Sequence, residues 1–375
     1  MLNFIDSLSK KYHLDVFFID DGQEIQIKKT NITYHTYKIN SNIYSRIIKH
    51  TFFWKYNVAL SNIVLRKLKD KDVDLIICHD LPTLLPAIMI NKTLKSRLLY
   101  DSLEIYTETI NQFFPSVSGL KKIIASGLIK FMRVFGSQAE KRMMSSCDLI
   151  TTVNQSLADY FETKYQITDI QVVMNCPKET KSFSSKINFR NTFDLKKTDR
   201  IFLYQGVLNE GRGLSKLIDA FSTIQKNNSL LKLIILGDGV LKKQLKSKVS
   251  ELNLEQIVFF HESVAYENLL QYTKAADYGI NLLEAYNLSK KLASPNKLFE
   301  YIQAEIPVLC SFSPENNIVM TDFKIGVQCD NTVKSISTGI IDLFSNHKVN
   351  NDEFISAKKI YCWENQEKKL FDIIK

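Results

Sequence analysis

Short apolar runs recur along this chain, each followed by a longer stretch in which apolar residues return every three or four positions. Runs of the first kind fall at 74–78, 97–100, 148–153, 171–174, 200–204, 232–236, 257–260, 278–282 and 306–310, and they predict buried strands. The stretches between them carry helical spacing at 42–69, from 84 onward, at 119–142, 154–165, 214–225 and 266–275, and from Pro295 to Ile302. Strands alternating with helices predict parallel, doubly wound sheets, and here the alternation runs twice. The expected fold class is therefore α/β, with two Rossmann-like domains facing a cleft that holds the ligand.

The two runs of the pattern set the expected boundaries: a domain over 1–177, a linker at 178–199, a second domain over 200–353 and a terminal helix from 354 to 375. Residues 178–199 are rich in Lys, Ser, Thr and Asn without a sustained period, which is a linker signal. The opening is less regular. A helix precedes the strand at 14–19, residues 22–40 hold a short strand or two, and no strand with a glycine-bearing turn comes first. A first strand of the N-terminal domain is thus expected to be missing, and translation from further upstream is one explanation.

Composition narrows the class. A chain of 375 residues with 45% hydrophobic and 24% charged residues and only 12 Gly and 7 Pro is globular and helix-rich. Its six cysteines form no C-x-x-C pair, which predicts a reduced, cytoplasmic protein. No stretch is apolar for long enough to span a bilayer, and the polar-apolar N-terminus with Asp6 is not a signal peptide. The net charge of +9 has a location: residues 119–142 carry six basic residues and one acidic residue. Lys121, Lys122, Lys130 and Arg133 interleave there with Phe131 and Phe135, which predicts contact with an anionic membrane surface from the inner, cytoplasmic side. The alternative is a solvated helix face. No nucleic-acid partner is expected.

Candidate chemistry lies at strand ends. Gly206-Val-Leu-Asn-Glu-Gly-Arg-Gly213 links a strand to a helix, where backbone N–H groups can cradle phosphate. It fits neither G-x-G-x-x-G nor the P-loop, which argues against dinucleotide binding and nucleotide hydrolysis. Arg212 supplies a bidentate cation, or else holds its own loop. Gly237 ends the next strand. In Ser294-Pro-Asn-Lys-Leu-Phe-Glu-Tyr301, Ser294 is a candidate cap, Pro295 suits the first helical turn, and Lys297 and Glu300 share a face. Two cations at one sheet edge can stabilise a departing diphosphate without a metal, and a carboxylate such as Glu300 suits vicinal hydroxyls. In the first half, His79, Asp80, Asp101 and Glu104 sit at carboxyl ends of strands, with helix capping the favoured role for Asp80 and Asp101. Nothing in the spacing points to a metal, and no cofactor is expected.

Tyr204-Gln-Gly-Val-Leu-Asn-Glu-Gly-Arg-Gly-Leu214, Leu236-Gly-Asp-Gly239, Ala275-Ala-Asp-Tyr-Gly-Ile280 and Ser294-Pro-Asn-Lys-Leu-Phe-Glu-Tyr-Ile-Gln-Ala304 together resemble the family-4 retaining glycosyltransferases of the GT-B fold. The likeness is weaker in His79-Asp-Leu-Pro82 and Tyr100-Asp-Ser-Leu-Glu-Ile-Tyr106. It implies a nucleotide-diphosphate-sugar donor bound by Gly206, Arg212, Gly237, Ser294, Asn296, Lys297 and Glu300, with Arg212 and Lys297 on the diphosphate and Glu300 on the ribose. It implies an acceptor, a glycan or lipid-linked sugar, on the N-terminal half, and a last helix that crosses back to that half. Surface polysaccharide synthesis is the implied setting.

Three positions depart from the family pattern. Leu103 stands where a histidine is expected near the reacting sugar, and Leu292, eight residues before Glu300, where a sugar-binding carboxylate is expected. Glu305 replaces the usual glycine. Together with the absent strand they keep a second reading open, in which the chain is a catalytically impaired relative serving as a partner subunit or a nucleotide-sugar-binding protein.

Overall fold

The computed structural model of the chain describes residues 2–19, 29–37, 54–109, 120–180, 185–345 and 351–375. It divides into two compact units, Met1–Met174 with Glu367–Lys375, and Asn175–Gln366.

In unit 1, helix α1 (Leu2–Leu8) buries Phe4, Ile5 and Leu8 and leads into strand β1 (Leu14–Ile19), which pairs in parallel with β2 (Ile32–Tyr37). Helix α2 (Trp54–Lys67) follows, then β3 (Leu75–His79), α3 (Leu81–Leu94), β4 (Arg97–Ser102), the one-turn α4 (Tyr106–Thr109), α5 (Leu120–Met144), β5 (Leu149–Thr152), α6 (Gln155–Tyr165) and β6 (Ile170–Val172). Strands β3 to β6 form a four-stranded parallel sheet in sequence order. The described strands of this unit therefore fall into two ladders rather than one sheet. The β1–β2 pair is tied down by side chains instead. Lys71 Nζ lies 2.7 Å from Asp15, and Phe17 packs against the cluster of Val64, Leu68 and Ile90.

Unit 2 starts at Asn175, so the whole of the expected linker belongs to it. Within 178–199, the Asn188 side chain caps α7 (Phe189–Thr192) by accepting from Asn191 N, and buried Phe189 packs on His261 and Tyr272. A polar, aperiodic composition concealed an aromatic anchor, Phe189, beside which Phe193 packs on Phe259. The core elements then alternate: β7 (Arg200–Gln205), α8 (Leu214–Ile224), β8 (Leu231–Leu236), α9 (Lys242–Glu251), β9 (Val258–His261), α10 (Tyr266–Lys274), β10 (Tyr278–Asn281), α11 (Leu288–Lys291), α12 (Asn296–Ala304), β11 (Val308–Ser311), α13 (Pro314–Asp322), β12 (Gly326–Cys329) and α14 (Val333–Ser345). All six strands are parallel in the order β12-β11-β10-β7-β8-β9. The chain winds one way from β7 to β9 and the other way from β10 to β12. The crevice at the carboxyl ends of β7 and β10 is thus the topological switch point, where open α/β sheets bind ligands.

The chain ends in two helices rather than one, α15 (Asn351–Ile360) and α16 (Trp363–Ile374), separated at Tyr361-Cys362. Tyr361 explains the break. Its ring stacks on Phe299 of α12 at 5.0 Å, and its carbonyl accepts from Gln303 Nε2, an anchor that the i, i+3/i+4 pattern of a continuous helix does not reveal. The end of α16 packs within unit 1, where Lys10 pairs with Glu367 and Arg97 Nη1 donates to Ile374 O.

Candidate functional site

Helix α12 is fixed to the switch point by its own sequence. Leu298, Phe299, Tyr301 and Ile302 are buried at helical spacing, and the Tyr301 ring lies flat on Gly279 of β10. A Cβ at Gly279 would come within 2.5 Å of that ring. The Tyr301 hydroxyl lies 3.0 Å from Leu203 O on β7 and 3.1 Å from Ile280 O on β10, so one phenol spans the two strands between which the winding reverses. Lys297, one turn earlier, is aimed back over the end of β7.

There it meets Gly206. This glycine has φ +125, and a Cβ on it would sit 3.0 Å from Lys297 Cε, so its lack of a side chain is what lets the lysine stem close on the loop. Gly237 serves the same crossing: a Cβ on it would fall 2.0 Å from Gly206 O. Lys297 Nζ stands 5.3 Å over the Tyr204 ring. Burial, then the neighbouring Arg212 guanidinium, hold the Lys297 ammonium well below the ordinary lysine range, against the pull of Glu300.

Arg212, Lys297, Ser294 and Asn296 line one cavity of about 160 Å³, together with Lys290, Asn281, Ser313 and Asn316. Arg212 makes no hydrogen bond or ion pair with any described residue. It therefore does not hold its own loop by its side chain, the alternative that the sequence left open. The loop is instead pinned by its backbone, with Glu284 N donating to Gly211 O, and by Tyr286 packed against Gly211.

Several sequence expectations change. Ser294 does not cap α12: the capping position is Pro295, without a side-chain bond, and the buried Ser294 hydroxyl has no partner among the described residues. Lys297 and Glu300 form no ion pair among the described residues. Glu300 Oε2 instead accepts from Gln205 Nε2 at 2.6 Å, and Gln205 Oε1 in turn accepts from Thr273 Oγ1 at 2.8 Å. Burial raises the Glu300 carboxyl while the Gln205 bond opposes it. Glu300 and Gly237 do not themselves line the cavity. Glu305 adopts the left-handed conformation (φ 56) that its glycine counterpart would favour, and Lys358 and Lys274 hold its carboxylate at 2.6 and 3.2 Å.

Lys290, Asn281, Ser313 and Asn316 escaped the sequence reading. They lie at or after the ends of β10 and β11, and only the strand order brings them beside the loop after β7. Asn281 at the end of a strand was the one available signal.

In unit 1, His79, Asp101 and Thr151 are successive cross-strand partners on β3, β4 and β5. His79 Nδ1 lies 2.8 Å from Asp101 Oδ2, and Thr151 Oγ1 donates to Asp101 Oδ1 at 2.8 Å. Asp101 therefore orients a histidine and caps nothing. The edge of His79 packs on Phe4 of α1. Asp80 precedes α3 at φ 65, but its carboxylate turns to accept from Leu103 N at 3.0 Å rather than capping the helix. Burial pushes Asp80 up to about 7, the Leu103 bond opposing. Glu104 stands near enough to Asp80 to push the same way.

On α5, Lys130 is exposed, as are Phe131, Val134 and Phe135, the two phenylalanine rings 4.1 Å apart. Arg133 lies 3.4 Å from Glu108, so its charge is partly met by its own unit. The side chains of Lys121 and Lys122 lie outside the described ones. Among the described residues no helix is long and apolar enough to cross a membrane. Glu179, Cys362 and Glu364 bring potential ligand atoms within 4.8 Å of one another, but none of them lines the cavity.

Residues 185–359 match the family described as glycosyl transferases group 1. That stretch is a group 1 glycosyltransferase domain. The fold is likewise shared over the whole chain with solved glycosyltransferase structures and is GT-B. The structure described as trehalose-6-phosphate from E. coli, bound with UDP-2-fluoro glucose, superposes with a TM-score of 0.72 at 10% identity, covering 100% of this chain and 95% of that one. WaaG, a glycosyltransferase involved in lipopolysaccharide biosynthesis, gives 0.70 at 14% identity, covering 100% and 94%. In sequence, an uncharacterised glycosyltransferase of Methanocaldococcus jannaschii is 26% identical over 220 residues, which are 56% of this chain and 51% of that protein. The alignment thus spans about half the length of this curated relative.

Proposed function

We propose that the protein transfers a sugar from a nucleotide-diphosphate donor to a glycan or lipid-linked acceptor, with retention and without a metal, in surface polysaccharide synthesis. The observation that carries the proposal is Lys297 and Arg212 together in one cavity at the switch point, neither of them bound to a carboxylate among the described residues. Two cations with no carboxylate bound to them among the described residues, beside a glycine that lets the backbone approach, suit a diphosphate. As the bond from the anomeric carbon to the diphosphate oxygen breaks, they meet the charge that develops on the leaving group. The acceptor hydroxyl attacks from the face the diphosphate leaves, and its proton passes to a diphosphate oxygen. Glu300, steadied by Gln205, accepts from the ribose hydroxyls. His79, held by Asp101, with Asp80 and Glu104, is assigned to the acceptor side, and the exposed aromatic face of α5 to an anionic membrane surface at the cytoplasmic side.

Lys297→Ala tests the donor site. The expected result is loss of turnover and a tenfold or greater weakening of donor affinity, about 1.4 kcal/mol or more. Wild-type affinity in that variant overturns the assignment. Leu103 and Leu292 favour a second reading, a non-catalytic partner subunit or nucleotide-sugar-binding protein. Tight nucleotide-sugar binding by the wild type, with no turnover across a panel of donors and acceptors, selects it.

A further inference from the structure

Two polar groups in the wall of the switch-point cavity are left open by the fold, and a chain of hydrogen bonds defines one of them. Asn316, in the first turn of α13, is buried and donates through Nδ2 to Ser311 O at 2.7 Å. A carbonyl oxygen only accepts, so this bond fixes the Asn316 amide with its Oδ1 turned the other way. That oxygen accepts from Asn281 Nδ2 at 3.3 Å. The Asn281 amide, at the end of β10, is fixed in its turn. Its Oδ1 is left as an acceptor with no partner among the described residues. Ser294 supplies the complement in the same wall, a buried hydroxyl that no described residue meets. Buried polar groups are almost always satisfied, and one that the protein itself leaves open points to a ligand.

Carbon completes the wall. Leu283, Ala293 and Pro295 line the same cavity, and none of the described lining residues is a carboxylate. Leu283 is held in place by its backbone, whose N–H donates to Ser311 Oγ at 2.9 Å and whose carbonyl accepts from Asn331 Nδ2 at 2.6 Å. Carboxylate acceptors suit pairs of sugar hydroxyls, and here a neutral acceptor, a neutral donor and a small apolar surface stand instead. A sugar hydroxyl could meet the two polar groups but would leave the carbons facing water. A secondary acetamide meets all three, because its carbonyl accepts, its N–H donates and its methyl covers apolar surface.

Resting on the donor reading above, we infer that the transferred sugar is a 2-acetamido hexose, whose acetamide carbonyl accepts from the Ser294 hydroxyl while its N–H donates to Asn281 Oδ1. The substituent belongs on C2 because Arg212 and Lys297 line the same cavity, and C2 adjoins the anomeric carbon that carries the diphosphate. The cavity of about 160 Å³ far exceeds the 10–15 Å³, roughly, that one water needs, so a group of several heavy atoms fits beside the diphosphate.

Calorimetric titration of the full chain with matched donor pairs tests this: UDP-glucose against UDP-N-acetylglucosamine, and UDP-galactose against UDP-N-acetylgalactosamine, each beside free UDP, GDP and dTDP. In the wild type the acetamido member of at least one pair is expected to bind about tenfold tighter or more than its hydroxyl counterpart. Ser294→Ala and, separately, Asn281→Ala are each expected to remove most of that preference, and Ser294→Thr to keep it. Equal affinities within both pairs in the wild type overturn the inference and leave the donor reading standing. A preference unchanged in both alanine variants also overturns it. So does equal weakening of both members of a pair and of free UDP in Ser294→Ala, because the hydroxyl then serves the diphosphate. Absence of binding by UDP and by all four donors overturns the inference, and if GDP and dTDP also fail to bind, the donor reading falls with it.

Discussion

At the scale of single residues, the donor site depends on an absence as much as on charge. Gly206 holds φ +125, and Lys297 occupies the space its side chain would fill. Gly206→Ala combines a backbone conformation that L residues rarely adopt, costing about 1–3 kcal/mol, with a methyl 3.0 Å from Lys297 Cε. The expected outcome is donor affinity reduced about tenfold with a lowered melting temperature. Calorimetric titration and thermal unfolding check it, and unchanged values in both would count against this account of the loop. Sequence made Arg212, Lys297 and Ser294 candidates because strand-to-helix junctions are recognisable locally. It misassigned the Ser294 hydroxyl and the Glu300 partner, because capping and i, i+3 pairing are local defaults. Gln205, which takes Glu300, is 95 residues away in the chain.

At the scale of elements, α5 and α12 show the two uses of an amphipathic helix. Helix α12 buries its apolar face and is fixed by Tyr301 to β7 and β10. Helix α5 leaves Phe131, Val134 and Phe135 exposed beside Lys130. If that face meets an anionic bilayer, replacing Phe131 and Phe135 with Ser and Lys130 with Gln removes apolar area and charge together. Partitioning onto phosphatidylserine vesicles is expected to fall about tenfold or more, and further than partitioning onto neutral vesicles. Sedimentation with liposomes measures it, and undiminished pelleting would refute the membrane face. The element pattern itself was largely legible. Among the exceptions were α7, hidden in a polar stretch by one buried phenylalanine, the elements α13, β12 and α14 after β11, for which no pattern was read, and the break between α15 and α16, set by Tyr361 stacking on Phe299.

At the scale of the whole molecule, unit 1 carries two buried carboxyls that favour the protonated form. Burial pushes Glu140 up to about 7, although the Tyr165 hydroxyl donates to Oε2 at 2.7 Å, and Oε1 has no partner among the described residues. Asp80 is raised to a similar value by burial. A carboxyl whose folded value is raised binds a proton more tightly in the folded state. Its stabilising contribution is complete below the unfolded value and is lost as pH rises through the folded one. Unit 1 is therefore expected to lose stability between about pH 5 and pH 7, by up to about 3 kcal/mol for Glu140 alone, and to level off above that. Denaturant unfolding across that range measures the slope, and Glu140→Gln is expected to reduce it and leave the Asp80 part. A wild-type slope that stays flat would contradict both assignments.

The sequence by itself determined what repeats locally: the alternation of strand and helix, hence two parallel α/β units, and the phosphate-suited loop and helix start of the second. Period and turn chemistry act over a few residues and so survive in one dimension. The tertiary structure alone decided which strand ends are neighbours. The order β12-β11-β10-β7-β8-β9 brings Asn281, Lys290 and Ser313 to the loop that carries Arg212, and the register of β3, β4 and β5 lines up His79, Asp101 and Thr151. Those pairings depend on hydrogen bonds between strands far apart in the chain, and no local pattern encodes them.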